Sequence, residues 1–175
     1  MRFEEIRDTG HPMYSRALEL YKISFSPNEQ RMRRSQDSIL TDAGYNFALI
    51  YDDADFVGIV LSWETEEFIY IEHFCMLPEM RGRGYGERAL LEIAEKGKKV
   101  ILEIDPPEDD ISRRRKRFYE RCGFVENPYR HIHPPYRSEN AGHTLTAMSF
   151  PSGITPDEYR RFDDYLKKRV MKNAF

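Results

Sequence analysis

The stretch "MLPEMRGRGYGERALL", Met76–Leu91, decides how the rest of the chain is read. Before it, Phe68 to Leu77 is rich in aromatic and β-branched residues and stops at Pro78, the pattern of a strand. Within it, Gly82, Gly84 and Gly86 alternate with Arg83 and Tyr85, and Arg81 comes first. After it, "ERALLEIAEKG" is amphipathic and ends at Gly97, a helix with a glycine C-cap. A glycine loop that opens a helix lets main-chain N–H groups approach an anion without Cβ interference. The helix N-terminus adds the positive end of its dipole, so a phosphate or pyrophosphate is the expected ligand. Two nucleotide-binding patterns fail on spacing. No Gly-Lys-Ser/Thr tripeptide exists, and the glycines run G-x-G-x-G rather than G-x-G-x-x-G. Three or more strands also precede the loop, whereas a dinucleotide fingerprint follows the first strand of its unit.

Outward from the loop, the chain alternates between the two periodicities. Phe3 to Arg7 reads as a strand, and Pro12 to Phe25 carries apolar residues at helical spacing until Pro27 breaks it. Asn28 is a cap for a second helix through about Thr41. Tyr45–Tyr51 and Asp55–Trp63 read as a hairpin. Beyond Gly97, "KVILEID" (Lys99–Asp105) is a continuous apolar strand, and Ile111 to Cys122 is a helix ending at Gly123. "FVENPYRHIH" and "HTLTAMSF" are later strands. Thr155, Pro156 and Glu158 form a capping box for a last helix over about 155–172. The predicted order is βααβββαβαββα, an α/β architecture of the mixed α+β type in a single domain, 1–175.

The bulk numbers bound the function. A chain of 175 residues should bury roughly 70% of its unfolded surface, so it holds a core without staples. Cys75 and Cys122 give neither a disulfide framework nor metal-ligand spacing. No apolar run approaches the roughly 20 residues that span a bilayer, and no signal-peptide core follows Met1, which predicts a cytoplasmic protein without membrane contact. The net charge of −3 argues against general nucleic-acid binding. The basic run Arg113–Arg117 reads as a solvated helix face paired with Glu108, Asp109 and Asp110, in preference to a nucleic-acid patch. His131, His133 and His143 lack the ligand set of a metal site, so no metal is expected.

Arg81-x-x-Gly84-x-Gly86, after a strand and opening a helix, resembles the coenzyme A motif of the GNAT N-acetyltransferase superfamily, Q/R-x-x-G-x-G/A. "RFYERCGF" (Arg117–Phe124) is similar to that superfamily's helix-to-strand segment, Y-x-x-x-G-F. The likeness covers about residues 1–150 in element order and 68–125 in motif. It implies a central mixed, mostly antiparallel sheet with a splayed parallel strand pair, flanked by helices. It implies acetyl-CoA as co-substrate, its pantetheine arm in the gap between the splayed strands. Backbone groups of Phe74, Cys75 and Met76 would hold that arm. The amides of Arg81, Gly82, Arg83, Gly84, Tyr85 and Gly86 would hold the pyrophosphate, with Phe118 alongside. An N–H near Cys75 or Met76 would stabilise the thioester oxyanion.

Tyr119 falls where the superfamily has its general acid, protonating the departing thiolate; the plainer role is a packed aromatic beside Phe118. The superfamily's pantetheine-binding asparagine, seven positions earlier, is here Ser112, with shorter reach, and the arginines that follow would compensate at the 3′-phosphate. Glu72 interrupts the apolar strand "IYIEHFCM". Strand alternation puts Tyr70, Glu72 and Phe74 on one face and Ile71, His73 and Cys75 on the other. In an apolar strand the Glu72 carboxyl should have a raised pKa, suiting it to act as base, directly or through water; the plainer role is an edge carboxylate paired with an arginine. His73 is the reserve base. Tyr129, Tyr136, Arg137 and the histidines would border the acceptor cleft, and Glu29 in "SPNEQRMRR" could pair with a cationic amine. The expected acceptor is a small-molecule or peptide amine, and dimerisation, common among similar proteins, is compatible with the chain. A longer acyl group is disfavoured by the bulk of Tyr70 and Phe74, and a catalytically silent CoA-binding module by the presence of Tyr119 and Glu72.

Overall fold

The computed structural model describes residues 1–174. Its strands are β1 (Arg2–Ile6), β2 (Tyr45–Asp52), β3 (Asp55–Glu64), β4 (Phe68–Met76), β5 (Lys99–Ile104), β6 (Val125–Glu126), β7 (His131–His133) and β8 (His143–Phe150). Its helices are α1 (Tyr14–Ser24), α2 (Arg33–Ile39), α3 (Tyr85–Ala94), α4 (Asp110–Arg121) and α5 (Pro156–Tyr165). The strands form one sheet in the order β1-β2-β3-β4-β5-β8-β6, with β7 on β8. Every neighbouring pair is antiparallel except β4 and β5. The mixed sheet with one parallel pair is as expected. One face packs on α1 and α5 through Tyr14, Leu18, Trp63, Phe68 and Phe162. The other packs on α3 and α4 through Ala89, Leu90, Ile93 and Tyr119.

Local chemistry explains most boundaries. The hairpin between β2 and β3 turns at Asp53, whose φ of 51° is tolerated by aspartate. Asp109 caps α4 and Thr155 caps α5, each with a side-chain acceptor on the first free amides. Two boundaries depart from expectation. "FVENPYRHIH" yields two short strands, β6 and β7, because Asn127 turns its amide group onto Ala147 and Ser149 and Pro128 follows. The helix expected from Asn28 to Thr41 is broken. Ser26 rather than Asn28 caps a single turn, Pro27–Glu29, and the backbone is extended at Gln30 and Met32 before α2 begins.

The break has a physical cause in Arg31. Its guanidinium is buried and binds Glu72 of β4, with Nε 3.1 Å and Nη2 2.9 Å from Oε1. Nη2 also donates to the Val170 carbonyl at 2.5 Å. A helical course through residue 31 would leave Glu72 buried without its cation, a loss of several kcal/mol that outweighs one helical turn.

Glu72 is also the seat of an irregularity in the sheet. β3 pairs with β4 from Gly58↔Met76 to Leu61↔His73, then resumes at Ser62↔Ile71. Glu72 is the extra residue of a β-bulge, which resets the alternation of faces. Tyr70 and Cys75 pack on the α1/α5 side, and Ile71, Phe74 and Met76 on the α3/α4 side. Glu72 and His73 therefore lie on the same face, with Phe74 opposite. This corrects the alternation read from sequence, which assumed an unbroken period of two. The parallel pairing of β4 with β5 runs only from Phe68↔Lys99 to Ile71↔Leu102. Past the bulge the two strands part, giving the splay that the resemblance implied.

The bulged edge of β4 is tightly packed from behind. A Cβ added at Gly58 would stand 2.5 Å from the Cys75 carbonyl oxygen and 2.7 Å from Met76 Cε. Gly58→Ala is expected to cost about 1–3 kcal/mol, lowering the melting temperature by about 2–4 °C per kcal/mol; an unchanged melting curve would contradict the packing. Arg31→Ala is expected to cost about 3–5 kcal/mol, because it leaves a buried carboxylate unpaired. The double change Arg31→Met with Glu72→Gln should recover most of that loss in the same denaturation experiment. The pair's contribution is complete above the ordinary carboxyl value of 4.5 and is lost as pH falls through the lower folded-state value.

Candidate active site

A cleft of about 1580 Å³ opens where β4 and β5 separate. Beyond Ile71 the edge of β4 that faces β5 has no strand partner, so peptide groups on that edge are left without a ladder, although the Met76 carbonyl accepts from Arg81 Nε at 3.3 Å. The loop after β4 forms a single turn at Pro78–Met80 and enters α3 through Gly84, whose φ of 80° is a left-handed conformation suited to glycine. No side chain caps α3, in contrast to α4 and α5. Its first amides lack an intrahelical acceptor, and the residues that carry them, Tyr85, Gly86 and Glu87, line the cleft. Arg81, Gly82, Gly84, Tyr85 and Gly86 line this half, as do Phe74, Cys75 and Met76. Phe118 closes the far wall, with Cζ 3.2 Å from where a Cβ at Gly86 would stand. A side chain there would press on the Phe118 ring.

Tyr119 of α4 lines the same half, and its hydroxyl has no protein hydrogen-bond partner among the described residues. Burial pushes its phenol up to about 12; Arg115 opposes this, and Cys122 and Cys75 add to it. The group therefore holds its proton through the physiological range and has it free to donate. Cys75 is itself pushed up to about 11 by burial, so its thiol stays protonated and does not compete as a nucleophile.

The other half is walled by side chains on the α1/α5 face. The Glu72 carboxylate has no exposed surface and accepts from Arg31, from Trp63 Nε1 at 2.7 Å and from the Tyr136 hydroxyl at 2.8 Å. Burial pushes its pKa up, but Arg31, His73 and the two hydrogen bonds together hold it below 4.5. The raised value expected from sequence is thus corrected: the buried cation outweighs desolvation. His73 donates Nε2–H to the Glu29 carbonyl at 2.8 Å and packs edge-on between Tyr21 and Phe25, with Nδ1 buried and unpartnered. Burial holds it below 6.5, although Glu72 pulls the other way, so the ring is neutral at pH 7.

Across the fork, Glu103 of β5 mirrors Glu72. It accepts from the Tyr70 hydroxyl and bonds His131 Nε2. Its Oε2 lies 3.8 Å from His133 Nε2. The segment between β7 and β8 arches over this half and is tied to the turn before α2. Arg137 donates to the Gln30 carbonyl at 2.8 Å, and Asn140 to Asn28 Oδ1 at 3.1 Å.

The fold thus gathers Glu72, Phe74, Cys75, Met76, Arg81, Gly82, Gly84, Tyr85, Gly86, Phe118 and Tyr119 around one cleft. Two residues expected there stand apart. The Ser112 hydroxyl is engaged with Asp109 in the α4 capping box, and Arg83 lies outside the lining, near Met80. Tyr136 and His133 line the other half of the cleft, while Tyr129 donates to the Ile154 carbonyl. Arg31 and Glu103 were missed. Glu103 carried the signal that singled out Glu72, a lone acid in an apolar strand, and "KVILEID" was read as continuous. Arg31 carried none, since its role depends on a helix that does not form. Among the described residues no cluster of histidine, cysteine and carboxylate side chains suits a metal ion, and no helix is long and apolar enough to cross a membrane.

Comparisons with known proteins agree with this geometry. A family model described as acetyltransferase (GNAT) family matches residues 11–124, well over half of the chain. A 68-residue segment is 29% identical to YjbC of Bacillus subtilis (strain 168), covering 38% of this chain and only about a third, 35%, of YjbC. A solved GNAT-family protein from Bacteroides thetaiotaomicron superposes with a TM-score of 0.91 at 28% identity over 98% of both chains. A GNAT acetyltransferase from Elizabethkingia anophelis, solved with acetyl-CoA bound, shares the fold at a TM-score of 0.56 and 14% identity, over 85% of this chain and 95% of that one. With its splayed β4–β5 pair, its uncapped glycine-led α3 and this family match, the chain belongs to the GNAT acetyltransferase family.

Proposed function

We propose that the protein transfers the acetyl group of acetyl-CoA to a primary amine by direct attack within a ternary complex. The observation that carries this is the unpaired edge of β4 beyond Ile71, which runs straight into the uncapped amides of α3. An extended pantetheine arm fits the first by β-type hydrogen bonds. A diphosphate fits the second, helped by Arg81. The CoA complexes of structural relatives support the same assignment.

In this arrangement the thioester carbonyl lies against the β4 edge near Cys75 and Met76. Fixed N–H groups there stabilise the oxyanion without reorganising, which is the main source of rate in acyl transfer. The amine nitrogen attacks the carbonyl carbon from the Glu72/Glu103 side. The tetrahedral intermediate then expels the thiolate, and Tyr119 gives it a proton. Its high phenol value keeps that proton in place until charge develops on sulfur. Glu72 does not serve as a free base in this scheme. Both its oxygens already accept from neighbouring side chains, and its charge belongs to Arg31, so its part is to fix Tyr136 and the wall of the acceptor half.

Tyr119→Phe is expected to lower thiol release from acetyl-CoA by about 10²–10⁴-fold while leaving CoA affinity unchanged; undiminished turnover would remove Tyr119 from the chemistry. Gly84→Val forces a β-branched residue into a left-handed conformation costing about 1–3 kcal/mol and displaces the phosphate-binding amides. Calorimetry should show CoA affinity weakened about tenfold or more, and no heat from wild-type protein with CoA or acetyl-CoA would end the assignment.

A further inference from the structure

We propose that His133 is the base that takes the proton from the acceptor ammonium, with Glu103 beneath it to hold the imidazolium that forms. The inference rests on the transfer reading above and assigns a step which that reading leaves without a residue. Glu72 and Glu103 are the first residues past the last β4–β5 pair, Ile71↔Leu102. They are joined by two side chains: Glu72 accepts from Tyr136, the Tyr136 oxygen lies 3.4 Å from His133 Nε2, and that nitrogen lies 3.8 Å from Glu103 Oε2. This chain crosses the acceptor half of the cleft at the fork.

The tautomer of His133 follows from its neighbours. Nδ1 sits 2.5 Å from the Pro134 carbonyl oxygen, which can only accept, so Nδ1 carries the ring proton. Nε2 is then a bare lone pair. Tyr136 does not fill it, because the hydroxyl hydrogen is given to the Glu72 carboxylate at 2.8 Å. The ring lines the cleft with 5% of its side chain exposed. On protonation, Nε2–H⁺ faces a carboxylate that is already built into the wall. The alternatives are worse placed. Glu72 is fully buried and ion-paired to Arg31, and the free nitrogen of His73 is buried, its ring packed against Tyr21 and Phe25.

The balance is complete. The ammonium gives one proton to His133 Nε2, and the freed nitrogen pair forms the new bond to the acetyl carbon. As the carbon–sulfur bond breaks, Tyr119 protonates sulfur. The second proton lost from nitrogen restores the phenol, and His133 releases its own to the open cleft. One proton is liberated per acetyl group transferred.

The test uses alkylamines and their trifluorinated analogues, which are ammonium and neutral respectively at pH 7, with thiol release as readout. His133→Gln should lower kcat/KM by about 10²–10³-fold for the ammonium acceptors, and at least tenfold less for the neutral ones, with CoA affinity unchanged. Glu103→Gln should lower kcat/KM for the ammonium acceptors more than for the neutral ones, since the imidazolium loses its anion. The charged or titratable groups around His133 are Glu103 from β5, Glu72 and His73 from β4, His131 from β7, His143 opposite it on β8, Tyr136 from the arch and Arg31 from before α2. Equal losses with both amine classes, in either variant, overturn the proposal. Absence of thiol release by wild-type protein with every amine overturns the transfer reading itself, and this step with it.

Discussion

The separation of β4 from β5 after Ile71↔Leu102 is the constraint on which the rest of the structure depends. A paired strand has no main-chain groups to offer, so a backbone-built binding edge requires that a neighbour be withheld. Here the bulge at Glu72 turns β4 away, and a buried ion pair between Glu72 and Arg31 holds the turned strand in place. Such a pair is a poor source of net stability, because taking both charges from water offsets most of their attraction. Its value lies in position. A carboxylate that must find Arg31 to be tolerated fixes the course of the chain before α2, the carbonyl of Val170 and the indole of Trp63 in one arrangement.

The two halves of the cleft are built by different means. The α3 half uses main-chain groups, an uncapped helix start and a glycine at a left-handed position, and asks little of side chains beyond Tyr119 and Phe118. The opposite half is a wall of interlocked side chains, from Arg31 through Glu72, Tyr136 and His133 to Glu103 and His131. Main-chain recognition survives wide sequence change, since any residue supplies the same N–H. That is consistent with a fold shared at 14% identity with a protein holding acetyl-CoA. Side-chain recognition does not survive such change.

This division also explains what could be read from the sequence. The glycine loop and the Tyr119 segment were legible because their requirements are local: three glycines, a helix start, a phenol before Gly-Phe. Most of the order of strands and helices along the chain followed from their periods and turn residues. The bulge was not legible, since a single extra residue leaves no mark in composition while it inverts the face of everything after it. His73 was therefore assigned to the wrong side, and Phe74 with it. Arg31 was hidden for a related reason. Its segment has the composition of a helix, and the helix is broken by a partner 41 residues away. Ser112 shows the converse, a residue placed by motif whose hydroxyl the local cap had already taken.

The arch between β7 and β8 bears on which acceptors suit such a wall. It is fastened to the turn before α2 by two hydrogen bonds, Arg137 to Gln30 and Asn140 to Asn28, and the same turn presents the Glu29 carbonyl to His73. Acceptor entry, the neutral His73 ring and the Arg31–Glu72 pair are thus mechanically continuous through about six residues of chain. A substrate that loosened the arch would also loosen the segment that places Arg31, at a cost set by exposing a buried carboxylate. A small amine that slips past the arch avoids that cost, whereas a folded protein surface that must displace it incurs the cost in full. Under the proposed transfer, small acceptors therefore carry the lower energetic cost, independent of any recognition by charge.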